Sequence, residues 1–220
     1  MKKYAVVGAG GRGLYMYAVP LVRDFSDVAE LVGVYDVNRK RSELLVKEAG
    51  GKTSVYQSFD EMLREATPDT VIVTTVDRYH HEYMVKALDA GCAVIVEKPM
   101  TTDVPQCKEI FAAEKRNNKK VIVTFNLRFA PFSTRLRELV RDGAIGEVLS
   151  VHFEWFLDTS HGADYFRRWH RKKENSGGLL IHKATHHFDL VNWIIGEAPV
   201  AVNAFGSRRF YGPTRQERGI

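Results

Sequence analysis

Short apolar runs alternate along the first part of the chain with longer segments that are helical by composition. The fourth run, Thr70–Thr74, is apolar through its centre, as expected for a strand buried on both faces of a parallel sheet. Strands that alternate with helices predict an α/β fold with a doubly wound parallel sheet of the Rossmann type. The predicted strands are Tyr4–Val7, Leu31–Tyr35, Val55–Tyr56, Thr70–Thr74, Ala93–Val96 and Val121–Thr124.

The pattern changes near residue 125. Two later segments, Val148–Phe156 and Val200–Phe205, have the loose alternation of antiparallel strands. Helices are predicted over Ser133–Arg141 and Ile181–Ile195. We therefore expect residues 125–220 to form a second, incomplete α+β domain with antiparallel strands.

A glycine-rich turn follows the first predicted strand and precedes a helix. Its spacing is Gly8-x-Gly10-x-x-Gly13, which suits a tight turn, a close approach to a pyrophosphate and close packing of helix on strand. The free N–H groups at the start of the helix can bind the anion. Asp36 ends the second strand, where an acid can accept hydrogen bonds from a ribose diol. We predict a dinucleotide-binding domain over residues 1–124.

The choice of cofactor depends on the residues that follow the second strand. Asp36 would accept from both ribose hydroxyls of NAD and would repel the additional phosphate of NADP. Arg39 follows closely and could bind that phosphate. We expect NAD, with NADP as the alternative.

The tripeptide Glu97-Lys98-Pro99 lies at the carboxyl end of the fifth strand, the edge at which doubly wound sheets bind ligands. Pro99 keeps Lys98 out of the helical region. A lysine fixed there can exchange a proton with a substrate hydroxyl, and burial would lower its pKa into a useful range. The tripeptide alone would also fit a surface lysine at a strand–loop junction.

Charge and composition limit the partners of the protein. The formal net charge is +5, and the basic residues gather in short runs such as Arg167–Lys173. No extended basic face with interleaved aromatics is evident, so we expect an anionic cofactor or substrate and not nucleic acid. No apolar run approaches the ~20 residues of a membrane span. The two cysteines, Cys92 and Cys107, lack metal-type spacing, so we expect a reduced, cytoplasmic protein.

Together with Thr75 and His80 after the fourth strand and Asn126-x-Arg128 after the sixth, these motifs resemble in order and spacing the glucose–fructose oxidoreductase/inositol dehydrogenase (Gfo/Idh/MocA) family. The similarity runs from residue 3 to about residue 200. It implies a dinucleotide-dependent enzyme acting on sugars or polyols, with Lys98 in the active site and an open antiparallel sheet often used for oligomerisation. A homo-oligomer is expected for the full-length protein. The predicted cofactor-binding residues are Gly8, Gly10, Gly11, Arg12, Gly13, Asp36, Arg39, Thr74, Thr75, His80, Glu97 and Lys98.

Two departures from the family pattern affect the site. Val76 stands where members usually carry proline after the fourth strand. His182 stands where an aspartate is expected, and Ala184 where a glycine is common, whereas His186 and Asp189 match the pattern. The familiar pairing of aspartate with histidine is therefore in doubt in this chain.

In a continuous helix, residues turn by ~100° each, which puts His182, His186 and Asp189 on one face. Buried imidazoles need partners. They could form a satisfied structural pair, line a substrate cavity or bind a metal, since His residues at i and i+4 suit a metal but an HExxH pattern is absent. We predict a substrate site without a metal, with Lys98, His186 and His182 as the catalytic residues.

The segment Tyr165–His170 combines aromatic and cationic groups that suit a sugar face or an acidic substituent, although an ordinary surface loop would have the same composition. The predicted substrate-binding residues are Asn126, Arg128, Trp169, His170, Lys183 and His187.

The sequence favours a nicotinamide-dependent oxidoreductase of carbohydrates or polyols, in which Lys98 exchanges the hydroxyl proton. Two alternatives stay open. An NAD-dependent glycosidase would use the same oxidation transiently, and a non-enzymatic sensor would bind the dinucleotide without chemistry.

The chain is also expected to be an N-terminal fragment of a longer protein. Two predicted strands are too few for a stable open sheet. The end of the chain, Gly212–Ile220, is a polar loop without a closing element.

Overall fold

The computed structural model describes residues 1–50 and 52–207 and shows six parallel strands in one sheet. The strand order is β3-β2-β1-β4-β5-β6, and every neighbouring pair is parallel. The order reverses between β1 and β4, which is the arrangement of a Rossmann fold. The strands are β1 (Lys2–Val7), β2 (Ala29–Tyr35), β3 (Ser54–Val55), β4 (Thr70–Val73), β5 (Ala93–Glu97) and β6 (Val121–Thr124).

Helices follow the strands and continue beyond the sheet. A π-helix covers Gly13–Ala18, and 3-10 helices cover Asp77–Tyr79, Asn126–Phe129 and Trp169–Arg171. The α-helices are α1 (Val19–Arg23), α2 (Arg39–Ala49), α3 (Phe59–Ala66), α4 (His80–Asp89), α5 (Val104–Asn117), α6 (Pro131–Arg141), α7 (Thr159–Gly162), α8 (Asp164–Arg167), α9 (Lys173–Ser176), α10 (Leu179–His182) and α11 (Thr185–Ile195).

Successive side chains of a strand point to opposite faces of the sheet, and in β1 the side chains on both faces are buried. In β1, Val7 belongs to a core cluster with Met84 of α4 and Ile110 of α5. Its neighbour Val6 belongs to a second cluster with Leu45 of α2. Helices therefore cover both faces, as the apolar strand sequences predict.

The glycine turn packs directly on the end of β4. Gly8 has a φ of +95°, and a Cβ there would lie 2.6 Å from the Thr74 carbonyl carbon. A Cβ on Gly13 would overlap Gly8 O and lie 2.8 Å from Thr74 Oγ1. The Thr74 hydroxyl donates to Gly8 O over 2.6 Å, which fixes the turn against β4. Both positions therefore exclude any side chain.

The Rossmann-type α/β class is confirmed, with differences at the ends of helices. The predicted helix over Leu14–Phe25 is a π-helix followed by α1, because Pro20 lacks the N–H that a regular helix needs there. The predicted division between residues 124 and 125 stays a prediction, although the last strand of the sheet ends at Thr124.

The expected antiparallel strands over Val148–Phe156 and Val200–Phe205 are wrong for the described part of the chain. Neither segment pairs with a neighbouring strand, and a strand exists only where another backbone satisfies its N–H and C=O groups. Several of their apolar side chains, including Leu149 and Val202, are exposed. The expected terminal loop over Gly212–Ile220 lies outside the described residues.

The expected continuous helix over Ile181–Ile195 is interrupted. It forms as α10 and α11, with a break at Lys183 and Ala184. The projection of His182 and Asp189 onto one helical face therefore does not apply. Among the residues that the structure describes, no helix is long and apolar enough to cross a membrane.

Substituting alanine for Gly13 tests the close approach of the turn to β4. The new Cβ would overlap Gly8 O, so Gly13→Ala should lower the free energy of unfolding by about 1–3 kcal/mol. Gly10→Ala is the matched control, because a Cβ there meets nothing within 4 Å. Thermal unfolding measures both. Equal stability of the two variants would contradict the packing described.

Candidate active site

The turn after β1 leaves space beside exposed backbone amides. A Cβ on Gly10 or Gly11 would meet no atom within 4 Å, so the backbone there can be approached closely. Leu14 N already donates to Gly10 O over 3.0 Å. The N–H groups at the very start of a helix have no partner within the helix and are therefore open to an anion. A pyrophosphate fits such a site because it is small, anionic and rich in acceptors.

Asp36, the predicted ribose-binding residue, also stabilises the glycine turn through hydrogen bonds to backbone amides. Its Oδ2 accepts from Ala9 N over 2.8 Å, and its Oδ1 accepts from Asn38 N over 2.8 Å. The Arg39 guanidinium donates from Nε to Glu43 over 2.8 Å. A phosphate on the adenosine ribose would therefore compete with an existing ion pair for Arg39, which favours NAD.

Two predicted cofactor residues, Thr74 and His80, hold backbone loops through their side chains. Besides the Thr74 contact with the glycine turn, His80 is buried at the start of α4. Its Nδ1 lies 2.8 Å from Pro99 O and its Nε2 lies 3.1 Å from Thr75 O, and a neutral ring donates to only one of these carbonyls. His80 thus lies beneath the site and joins the loops after β4 and β5, instead of reaching a surface where a cofactor could contact it. Burial lowers the pKa of His80 and favours the neutral imidazole.

The Glu97 carboxylate contacts side chains of the helical segment that follows the glycine turn. The Tyr17 hydroxyl donates to Glu97 Oε1 over 2.8 Å, and Arg12 Nε lies 3.7 Å from the same oxygen. Burial and the nearby Glu97 carboxylate raise the pKa of Tyr17, so the hydroxyl keeps its proton. The charge of Arg12 therefore lies between the glycine turn and the end of β5.

Lys98 extends from the end of β5 toward α10. Its Nζ donates to the His182 backbone oxygen over 2.7 Å. Burial lowers the pKa of Lys98 to about 8, while the carboxylates of Asp77 and Glu97 oppose this shift. A lysine with this pKa is present in both charged and neutral forms near neutral pH, as acid–base chemistry requires.

Asp77 is a functional candidate that the sequence analysis missed. It is 2% exposed, and its Oδ2 lies 2.5 Å from His182 Nδ1. Burial raises the pKa of Asp77 to about 7. The sequence did offer one indication: Asp77 follows the fourth strand closely, and the carboxyl ends of the strands form the ligand-binding edge of a doubly wound sheet.

Aromatic rings surround His182. The ring centroids of Tyr165 and Trp169 both lie 5.4 Å from that of His182, and His170 lies at 4.6 Å. Trp169 and His170 also stack on each other at 3.8 Å. The structure therefore brings two of the predicted substrate residues, Trp169 and His170, to the imidazole of His182.

The first turn of α11 contains further imidazoles. Burial, followed by the charges of Lys98 and Lys183, lowers the pKa of His186 to about 3, so it is neutral. His186 Nδ1 is buried and has no hydrogen-bond partner among the described residues. A substrate hydroxyl could satisfy such an atom. His187 Nε2 is likewise buried without a hydrogen-bond partner among the described residues, and its ring lies 4.7 Å from that of Trp155 in a tilted arrangement.

Arg128 and Asn126 do not join this group. The Arg128 guanidinium forms a two-pronged ion pair with Asp189, with Nε donating over 2.7 Å. It also lies over the rings of Phe125 and Trp193. Its donors thus tie α11 to the segment after β6, and Asn126 is exposed. Their predicted substrate contacts stay predictions.

The groups that meet at the carboxyl edge of the sheet can bind an anion, move a proton and pack on an apolar ring face. Lys98 and His182 supply proton donors and acceptors beside the glycine turn. Among residues 1–50 and 52–207, no group of three or more His, Cys, Asp or Glu residues is arranged to hold a metal ion.

The family follows from sequence profiles. Residues 2–125 match the oxidoreductase family with an NAD-binding Rossmann fold, and residues 137–219 match the C-terminal alpha/beta domain of the same family. The chain belongs to the Gfo/Idh/MocA oxidoreductases, whose Rossmann domain binds NAD.

Named relatives cover most of this chain but only part of their own length. YteT of Bacillus subtilis (strain 168), named as an oxidoreductase without a stated substrate, is 42% identical over 97% of this chain and 51% of YteT. The D-glucoside 3-dehydrogenase of Escherichia coli (strain K12) is 31% identical over 80% of this chain and 49% of that protein. The chain thus spans about half the length of the curated relatives it matches.

Solved structures share the fold. The WlbA dehydrogenase of Chromobacterium violaceum, solved with NADH and UDP-GlcNAcA, has a TM-score of 0.76 and 25% identity, over 88% of this chain and 55% of that one. The myo-inositol 2-dehydrogenase of Lactobacillus plantarum has a TM-score of 0.78 and 22% identity, over 89% of this chain and 56% of that one.

Removal of the Asp36 carboxylate tests its double role. Asp36→Ala leaves the Ala9 N–H without its acceptor and takes away the predicted ribose contact, so NAD affinity should fall about 10- to 100-fold. Glu43→Gln is the control, because it weakens only the ion pair of Arg39. Titration calorimetry measures both. Unchanged NAD affinity in Asp36→Ala would contradict the assignment.

Proposed function

We propose that this protein transfers hydride between NAD and a secondary alcohol or ketone of a sugar or polyol. The observation that carries the proposal is the position of Lys98. It lies at the end of β5, beside the glycine turn, and its Nζ is half-buried and bonded to His182 O. Its pKa of about 8 suits proton exchange with a hydroxyl.

The residues of the turn fit the cofactor. The amides around Gly10 and Gly11 would hold the pyrophosphate of NAD, and Asp36 would accept from the adenosine ribose. When bound, NAD supplies the hydride acceptor for oxidation, and its reduced form supplies the donor for reduction. The chain itself binds, orients and exchanges the proton.

Lys98 carries the proton step in this account. In its neutral form Nζ takes the proton of the substrate hydroxyl, and in its charged form Nζ returns a proton to the carbonyl oxygen. His182 and His186, both with lowered pKa values, are neutral and can orient the same hydroxyl. The rings of Trp169 and His170 give an apolar surface that excludes water and packs on a sugar ring.

The substrate class is supported by the names of relatives. Besides the E. coli enzyme, an inositol 2-dehydrogenase of Rhizobium meliloti (strain 1021) is 29% identical over 92% of this chain and 57% of its own length. A glucose-6-phosphate 3-dehydrogenase of Bacillus subtilis is 31% identical over 90% of this chain and 55% of its own. These proteins act at ring hydroxyls by name, and we infer the same class of substrate here.

Replacing Lys98 by methionine separates chemistry from cofactor binding. Lys98→Met should lower kcat by about 10²- to 10⁴-fold and leave NAD affinity within a few-fold, because Nζ is needed for the proton step. Lys108→Met is the control, since Lys108 is exposed on α5. NADH production from a panel of sugars and inositols is followed by absorbance.

Three results would count against this proposal. Unchanged turnover in Lys98→Met would remove its proton role. Glycoside cleavage without net NADH would favour transient oxidation and elimination. Binding of NAD without any reaction that depends on Lys98 would favour a sensor.

A further inference from the structure

We propose that Asp77 is a positioning residue that holds His182 in one tautomer, so that His182 Nε2 accepts a hydrogen bond from the substrate hydroxyl and orients it until its proton passes to Lys98. The proposal deepens the function proposed above and rests on it for the identity of the substrate group. The pair itself stands on geometry, because Asp77 Oδ2 and His182 Nδ1 lie 2.5 Å apart.

Both members of this pair are deeply buried. The side chains are 3% exposed for Asp77 and 10% for His182. A buried carboxylate without a partner is costly, so the contact must persist for the site to form. It joins the loop after β4 to α10, across 105 residues of sequence.

The tautomer follows from the donor rules of imidazole. A neutral ring carries one N–H and one lone pair. With the carboxylate ionised, Nδ1 must donate to Asp77 Oδ2, and Nε2 then holds the lone pair. Among the described residues, no hydrogen bond to His182 Nε2 is found, so this atom is available to a ligand.

The fixed imidazole is also linked to Lys98. The Lys98 Nζ donates to the backbone oxygen of His182, so the residue that Asp77 holds is the residue that positions the lysine. A shift of His182 would move this carbonyl. Asp77 therefore acts on both proton-handling groups without needing to touch the substrate.

Charged and titratable groups from every neighbouring element face this pair. His80 at the start of α4, Lys98 after β5 and His170 of the 3-10 helix interact with the Asp77 carboxylate. Burial, followed by the charges of Lys98 and Lys183, lowers the pKa of His182 and disfavours an imidazolium there. Glu97 and Arg12 act further on Lys98 with opposite sign. The neutral form of His182 is thus favoured.

The pair should bind one proton as the pH falls through about 7, the pKa to which burial raises Asp77. This proton belongs to the coupled pair. Above that pH, Asp77 is ionised and His182 Nε2 is free to accept. Below it, either the protonated carboxyl donates to Nδ1 and Nε2 carries the hydrogen, or the ring is doubly protonated. Both forms lose the lone pair, so alcohol oxidation should fall as the pH is lowered.

Nitrogen-15 NMR of the histidine rings in the full 220-residue chain tests the pair without cofactor or substrate. At pH 8 the wild-type His182 should be the neutral tautomer with hydrogen on Nδ1, and its signals should titrate with an apparent pKa of about 7. In Asp77→Asn this titration should be lost. Asp103→Asn is the control, because Asp103 is an exposed carboxylate that caps α5.

A hydrogen on Nε2 of wild-type His182 at pH 8 would overturn the inference, and so would an unchanged titration in Asp77→Asn. The wild-type spectrum decides the tautomer even if the variant does not fold. This result does not depend on any enzymatic activity.

The pH profile of kcat/KM for alcohol oxidation tests the effect on chemistry. In Asp77→Asn the acid limb should move to lower pH by about one unit or more, since the variant also removes a carboxylate that raises the pKa of Lys98. A purely structural role would lower kcat equally at every pH, and that result would contradict the inference. If the wild type shows no NAD-dependent turnover, the proposed function fails while the NMR result still decides the pair.

Discussion

The hydrogen bond from the Thr74 hydroxyl to Gly8 O, 2.6 Å long, is the contact on which the candidate site depends. It lies between β1 and β4, where the strand order of the sheet reverses. The helical segments that follow β1 and β4 pack on opposite faces of the sheet, and such a divergence opens a crevice beyond the carboxyl ends of the two strands. Because Gly8 and Gly13 carry no side chain, the turn can lie against β4 and direct its amides into that crevice.

Residues from the later part of the chain are joined to the carboxyl edge of the sheet by polar contacts that are buried or half-buried. Lys98 reaches the carbonyl of His182, and Asp77 reaches its ring. The Arg128–Asp189 ion pair fixes α11 beside them. Each contact joins segments that are distant in sequence, and each would leave a buried or half-buried polar group unpaired if it broke. The geometry of the proton-handling groups is therefore tied to the position of α10 and α11.

Local patterns were sufficient for the sheet but not for the second part of the chain. Apolar runs predicted every strand of the sheet, because a strand buried on both faces needs such a run wherever it pairs. The segment Val148–Phe156 has the loose alternation of a strand, yet strand formation also requires a pairing partner, and it pairs with none among the described residues. The glycine spacing predicted the turn correctly, because a side chain at Gly8 or Gly13 would overlap nearby backbone atoms.

The pairing of Asp77 with His182 could not be predicted, because it depends on how α10 lies against the loop after β4. The break at Lys183 and Ala184 is likewise set by that packing and not by helix propensity. Conversely, the predicted substrate-binding role of Arg128 was based on the family resemblance. Its charge was visible in the sequence, but its partner Asp189 depends on the position of α11.

A crystal structure of this chain with NAD and a panel of soaked sugars and inositols tests the central claim most directly. The account predicts the pyrophosphate on the amides around Gly10 and Gly11, and one substrate hydroxyl within hydrogen-bond reach of both Lys98 Nζ and His182 Nε2. A sugar bound in this crevice with its hydroxyls directed away from both atoms would contradict the account.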